Sequence, residues 1–161
     1  MPPAATLTIG VIGPGSELPS SVLESATAVG ALIARAGHVL VCGGLGGVME
    51  AAAKGASAEG GIVVGLLPGR DRSAANPYNT VALPTGLGEL RNGLLVRSSD
   101  AIISVGGSWG TLSEIALAVR TGVPVVTLDG WELPADGPVP AATPKDAVEH
   151  AITLAAGRRP S

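Results

Sequence analysis

"AIISVGGSWGTLSEIALAVRTGVPVVTLDG" (residues 101–130) decides how this chain folds. It opens on a β-branched apolar run ending at Val105, turns on glycines, passes through helical spacing and closes on a second run, "VPVVTLDG" (123–130). A strand, a helix and a strand in about thirty residues make the crossover that joins parallel strands. Both runs are continuous rather than alternating, as expected of strands buried on two faces.

The same grammar extends outward. "LTIGVIG" (7–13), "HVLVCGG" (38–44) and "GIVVGLLPG" (61–69) are further runs ending in glycine, and "TVALPTG" (80–86) is a weaker sixth. Helical spacing fills the gaps. Ser21 to Ala36 carries Val22, Ala26, Val29 and Leu32 or Ile33 on one face behind a Ser21-x-x-Glu24 capping box. Val48 to Gly60, Leu87 to Ser98 and Thr111 to Thr121 follow. Pro144 to Ala156 closes the chain, with Thr143 as N-cap and Pro144 at the first helical position. This alternation predicts an α/β fold: a three-layer, Rossmann-like open parallel sheet with helices on both faces, in one domain over residues 1–161. Residues 130–144 read as a proline-rich surface loop, and the terminal "GRRPS" as frayed.

Hydrophobic residues make up 46% of the chain but aromatics only 2%, with no Phe, so the core is aliphatic. Net charge is −3, and the basic residues do not cluster beyond Gly69-Arg70-Asp71-Arg72, which argues against a nucleic-acid partner. The lone Cys42 excludes an internal disulfide and reads as a small buried hydrophobe at a strand end; no metal site is predicted. No uncharged apolar stretch reaches the ~18 residues of a membrane span. With no basic residue before Arg35, there is no signal-peptide pattern either, and a cytoplasmic, non-membrane protein is expected.

Ligands of an open parallel sheet bind beyond the carboxyl ends of its strands. The glycine clusters all fall there: Gly13-Pro14-Gly15-Ser16, Gly43-Gly44-Leu45-Gly46-Gly47, Pro68-Gly69-Arg70 and Gly106-Gly107-Ser108-Trp109-Gly110-Thr111. Glycine lets backbone approach a ligand, and the free N–H groups of a helix start favour an anion, so a phosphate-bearing ligand is predicted. It is not a dinucleotide held by the usual fingerprint. Position 18 is Leu where G-x-G-x-x-G needs glycine, and no acidic residue closes the second strand. Gly-Lys-Ser/Thr is absent as well.

Two charged residues stand beside these loops. Thr111-Leu-Ser-Glu114 has capping-box spacing, so Glu114 is either a helix cap or a carboxylate for chemistry. On a regular helix Leu112, Ile115, Ala116 and Val119 form one apolar stripe, and Glu114 points away from it. Arg91 lies on the flank of the preceding helix, either as a snorkelling surface residue or as a ligand contact. Gly93, inside that helix, suggests close approach by another group. Leu95 and Val96 lie off its apolar stripe and imply a second buried face.

"LRNGLLVRSSDAIISVGGSWGTLSEIALA" (90–118) resembles the signature of the lonely-guy superfamily, long labelled lysine decarboxylases. That signature is an Arg-Lys pair, then Asp-Ala, then Pro-Gly-Gly-x-Gly-Thr-x-x-Glu. Its arginine falls on Arg91, its glycine-threonine pair on Gly110 and Thr111, and its glutamate on Glu114. "CGGLGGVMEAAAKGA" (42–56) is similar to the family's second glycine loop. The chain departs from the enzyme branch at Asn92, in place of lysine, and at Gly106-Gly107-Ser108. "ANPYNTVALPTGLGELRN" (75–92) is closer to the branch containing molybdenum cofactor carrier proteins.

The resemblance implies one of two functions. The first is a phosphoribohydrolase, needing no cofactor, that cleaves the N-glycosidic bond of a nucleoside 5′-monophosphate. Glu114 would stabilise an oxocarbenium-like transition state, Arg91 would orient the nucleotide, and the Gly107–Thr111 amides would hold its phosphate. The second is a non-catalytic carrier of the molybdenum cofactor, or of a nucleotide. Its glycine amides and Thr111 would hold phosphate, while Trp109 or Tyr78 stacks on the ring. No Cys or His stands where a direct molybdenum ligand is obvious, His38 opening a strand and His150 lying far downstream. Trp109 could equally pack on a neighbouring subunit, and the resemblance implies a homodimer or homotetramer.

Overall fold

The computed structural model describes residues 4–158. Seven strands form one sheet: β1 (Thr8–Ile12), β2 (Val39–Cys42), β3 (Val63–Leu67), β4 (Val81–Pro84), β5 (Ala101–Val105), β6 (Val125–Leu128) and β7 (Val139–Pro140). Their order is β4-β3-β2-β1-β5-β6-β7 and every pairing is parallel. The chain builds outward from β1 to β4, returns, and builds the other way from β5. The order therefore reverses between β1 and β5, where Ile12 registers with Ser104. This is the three-layer Rossmann-like arrangement that the apolar runs predict. The seventh strand was not anticipated: two residues of the proline-rich loop pair with the edge of β6.

Five helices cover the sheet. On one face α1 (Ser20–Arg35), α2 (Val48–Ala58) and α5 (Pro144–Arg158) bury Val29, Ile33, Ala52 and Ala151 against Ile9, Val11, Ile103 and Val105. On the other, α3 (Arg91–Ser98) and α4 (Trp109–Thr121) bury Leu95, Val96, Ile115 and Ala118 against Ile12, Val41, Leu66 and Ile102. Small residues let α1 and α2 meet at backbone distance. A Cβ on Gly30 would collide with Ala52 O, and one on Gly55 with Thr27 O.

Local details depart from the sequence reading at the helix ends. α1 begins one residue early, with Pro19 at its N-cap and no side-chain capping bond, so the Ser21–Glu24 box does not form. The segment Leu87 to Ser98 is not one helix. A 3-10 turn, Gly88–Leu90, precedes α3, and Gly86 and Gly88 both have positive φ (67° and 57°), which a regular helix start excludes. Thr143 caps α5 as expected, its Oγ1 accepting from Asp146 N at 3.1 Å. That helix runs on through Gly157 and Arg158, where fraying was predicted; Arg159–Ser161 lie outside the described residues.

Candidate functional site

The loop from β5 into α4 is capped by Ser108, not by Thr111. Ser108 Oγ accepts from Thr111 N at 3.2 Å and lies 2.9 Å from Thr111 Oγ1. The helix thus starts at Trp109, and Thr111 becomes a buried member of its first turn. This shift also moves the buried stripe to Thr111, Ile115 and Ala118, leaving Ala116 and Val119 exposed. Glu114, one turn after Gly110, is freed from any capping role and sits on the flank of the buried stripe. The N–H of Leu112 donates to Ser108 O, whereas those of Trp109 and Gly110 find no partner among the described residues.

Arg91 is not a snorkelling surface residue. As the first residue of α3 it turns inward, and its Nη1 donates to Gly43 O at 2.7 Å and to Leu66 O at 2.8 Å. Glycine at 43 leaves room for that guanidinium, because a Cβ there would displace it together with the Met49 sulfur. Arg91 Nε is buried without a partner, and so is Ser104 Oγ, on the strand residue registered with Ile12. Buried polar atoms are normally paired, so the orphan on Arg91, which borders a cleft, marks that cleft as suited to something polar; Ser104 does not line it.

That cleft, of ≈ 80 Å³, is lined by Ile12, Gly13, Gly43, Met49, Arg91, Asn92 and Glu114, among others. Glu114 and Asn92 also line an outer cavity of ≈ 370 Å³ between α3 and α4, which includes Gly93 and Gly110. Gly93 shows no close approach by protein atoms, since a Cβ there would meet only Leu117 Cδ2 at 3.9 Å. Burial pushes the Glu114 carboxyl up to about 7, offset in part by the charge of Arg91. Burial likewise lowers Arg91, against the attraction of Glu114 and Cys42. Each feels the other's charge, yet they form no ion pair.

The predicted glycines come together unevenly. The loops after β1 and β2 pack backbone to backbone, with Val48 N donating to Pro14 O at 3.0 Å and Gly46 against Gly15 O. The first N–H of α2 is therefore satisfied by protein. Gly13 and Gly43 line the cleft, while Gly106, Gly107, Ser108 and Thr111 line a separate crevice towards β6 that shares no residue with it. Gly15 and Ser16 lie on the exposed side of their loop, and Ser16 makes no hydrogen bond among the described residues. Gly44, Gly46 and Gly47 shape the second loop without lining the cleft, and Gly69 is remote from it.

Sequence reasoning missed the clamp on that second loop. Asn76 Nδ2 donates to Leu45 O at 2.9 Å and Asn76 N to Gly44 O, while Asn79 Nδ2 reaches Gly44 O at 3.2 Å. The sequence signal for it is "ANPYN" (75–79), whose two asparagines supply the clamping side chains. Cys42 behaves as predicted: it is fully buried, accepts from Gly44 N, and burial holds its thiol up at about 11. His38 sits at the opposite end of β2, accepting from Leu7 N on Nδ1. Among the described residues no three His, Cys, Asp or Glu gather as a metal site, and no helix is long and apolar enough to cross a membrane.

This geometry coincides with a known pattern over nearly the whole chain: the SLOG cluster4 family matches residues 6–155. The chain belongs to the SLOG cluster4 family. Within reach of this SLOG cluster4 chain is an uncharacterized protein of Archaeoglobus fulgidus, 46% identical over 147 residues, covering 91% of this chain and 95% of the relative. The molybdenum cofactor binding protein of Rippkaea orientalis superposes with a TM-score of 0.88 at 35% identity, over 93% of this chain and 98% of that one. The Moco carrier protein of Chlamydomonas reinhardtii does so with 0.86 at 34% identity, over 95% and 99%.

Proposed function

We propose that this protein binds and carries the molybdenum cofactor, or a close phosphate-bearing analogue, without chemistry on it. The observation that carries the reading is the full-length likeness to a molybdenum cofactor binding protein and to a Moco carrier protein. The site chemistry agrees. The orphan N–H groups of Trp109 and Gly110 at the start of a 13-residue helix suit a phosphate. Cys42 is buried and protonated, and His38 lies at the wrong strand end, so the cargo is held by phosphate and ring rather than by its metal.

A second reading, hydrolysis of a nucleoside 5′-monophosphate, rests on one observation. A carboxyl held near neutrality faces a guanidinium in one cleft, the pairing that N-glycosidic cleavage uses. In that reaction Glu114 would stabilise the charge developing on the ribose and Arg91 would orient the nucleotide. Replacement of the family lysine by Asn92 removes a cation from that machinery and favours carriage.

One experiment separates the two. The protein is incubated with molybdenum cofactor released from a molybdoenzyme, and in parallel with a panel of nucleoside 5′-monophosphates. Carriage predicts co-elution of pterin and molybdenum with the protein, and no free base. Base release that disappears in Glu114→Ala and Arg91→Ala would replace carriage with hydrolysis. We also infer that the chain assembles with further copies of itself, as a dimer or tetramer, through the apolar side of α3. There Leu87, Leu90 and Leu94 are exposed beside the bare edge of the sheet.

A further inference from the structure

The chain has two tryptophans, and they meet at the glycine loop after β5. Their ring centroids are 5.1 Å apart at 74°, an edge-to-face pair. Trp131 lies 22 positions after Trp109 in sequence, and three backbone features bring it there in space. Asp129, at φ 55°, takes a left-handed turn that few non-glycine residues adopt. Gly130 follows with no room for a side chain, its Cβ position lying 3.0 Å from Gly106 O. Gly107 then accepts the indole itself: a Cβ there would stand 2.7 Å from Cδ1 and Nε1 of Trp131.

The second ring is left in the open. Trp109 is 79% exposed, the most exposed of the large apolar side chains among the described residues. The same residue starts α4, and its own N–H and that of Gly110 are the two without acceptors. An aromatic face and anion donors thus stand on adjoining atoms of one residue.

We propose that Trp109 and Trp131 form an aromatic subsite for the planar heterocycle of a ligand whose phosphate sits on the N–H groups of Trp109 and Gly110. The ligand class is a bicyclic pterin or purine joined to its phosphate by a short saturated linker. Trp131, locked on Gly107, fixes the orientation of Trp109 by edge-to-face contact, and Trp109 supplies the stacking face. The subsite rests on the phosphate-anchored reading above and extends it from the phosphate to the ring.

The two tryptophans are the chain's only ones, so intrinsic fluorescence reads this pair directly. The probes are GMP and neopterin monophosphate, which share a 2-amino-4-oxo ring edge, and ribose 5-phosphate, which has no ring. The ring-bearing probes should quench the wild-type emission. By calorimetry, Trp109→Ala should weaken both roughly tenfold or more, the usual scale of a lost stacking face. It should leave ribose 5-phosphate within about twofold of wild type, and Trp109→Phe should restore most of the loss. Ring-bearing probes that bind wild type and Trp109→Ala equally would overturn the subsite and leave the phosphate reading standing. If none of the three binds wild type, the phosphate reading itself fails and the subsite with it. A Trp109→Ala protein that changes size in light scattering and loses all three probes together would make Trp109 a contact between copies, and would also overturn the subsite.

Discussion

Arg91 and Glu114 share one cleft and shift each other electrostatically, but the guanidinium spends its Nη1 on Gly43 O and Leu66 O instead of on the carboxyl. Glu114 is thus a half-buried acid with no hydrogen-bond partner among the described residues, and only the nearby charge of Arg91 offsets its burial. Burial holds it at about 7, against 4.5 for an ordinary Glu. Between those values the folded chain keeps a proton that the unfolded chain has released, so stability falls as pH rises through that window. The carboxyl's contribution is fully present below about 4.5 and lost above about 7. Its loss costs on the order of 3 kcal/mol. Glu114→Gln, neutral throughout, should match wild type in urea unfolding near pH 5 and exceed it at pH 8. A difference between the two proteins that does not move with pH would refute this account.

Gly43 and Arg91 should behave as a single unit. Arg91→Ala leaves two carbonyls without their charged donor and should cost about 2–4 kcal/mol by denaturant titration. Gly43→Ala places a methyl where the guanidinium lies, and should push Arg91 out at a similar cost. The double variant should then cost little more than either single one, because the second change removes an interaction already lost. Additive losses would mean that the two residues act separately.

Much of this could be read from the sequence because it is local. Continuous β-branched runs ending in glycine foretold six of the seven strands, and their ends set the sheet edge where the candidate cleft lies. What escaped depended on contacts far along the chain. On a regular helix Arg91 reads either as a surface residue or as a ligand contact, yet the 3-10 turn at Gly88–Leu90 resets the start of α3 and aims it at carbonyls 48 and 25 residues away. The α4 stripe was misphased because Thr111, with Glu114 at capping-box spacing, outcompeted Ser108 as the expected cap. Trp131 had no local signal at all; only the tight approach to Gly107 gives its place a meaning.

Ser108 organises the start of α4 through one oxygen, which accepts from Thr111 N and lies 2.9 Å from its hydroxyl. Ser108→Ala should cost about 1 kcal/mol by thermal or urea unfolding, while Ser108→Gly should cost only a few tenths. If the Ser108 side chain also orders the donors of Trp109 and Gly110, Ser108→Ala should weaken ribose 5-phosphate binding as well. A variant as stable as wild type would show that the cap bond contributes nothing net.

The sheet face on the α3 and α4 side is incompletely covered. Three helices pack on the other face, but here α3 has only eight residues and leaves the β3–β4 edge bare. Val81 registers with Val64 and Leu83 with Leu66, so both edge side chains share the face of the inner cluster, yet they remain 44% and 43% exposed. Beside them Leu87, Leu90 and Leu94 project from the α3 segment at 44%, 76% and 40%. Together these side chains expose on the order of 300 Å² of apolar surface, at the lower end of the largest patch that an ordinary monomer carries. Exposed apolar side chains gathered on one face suit a two-fold contact, in which the same patch of each copy meets the other's. Light scattering at micromolar concentration should find a dimer or larger assembly, and Leu90→Glu or Leu83→Glu should shift it towards monomer by setting a charge in the contact. A wild type that is monomeric at that concentration removes the inference.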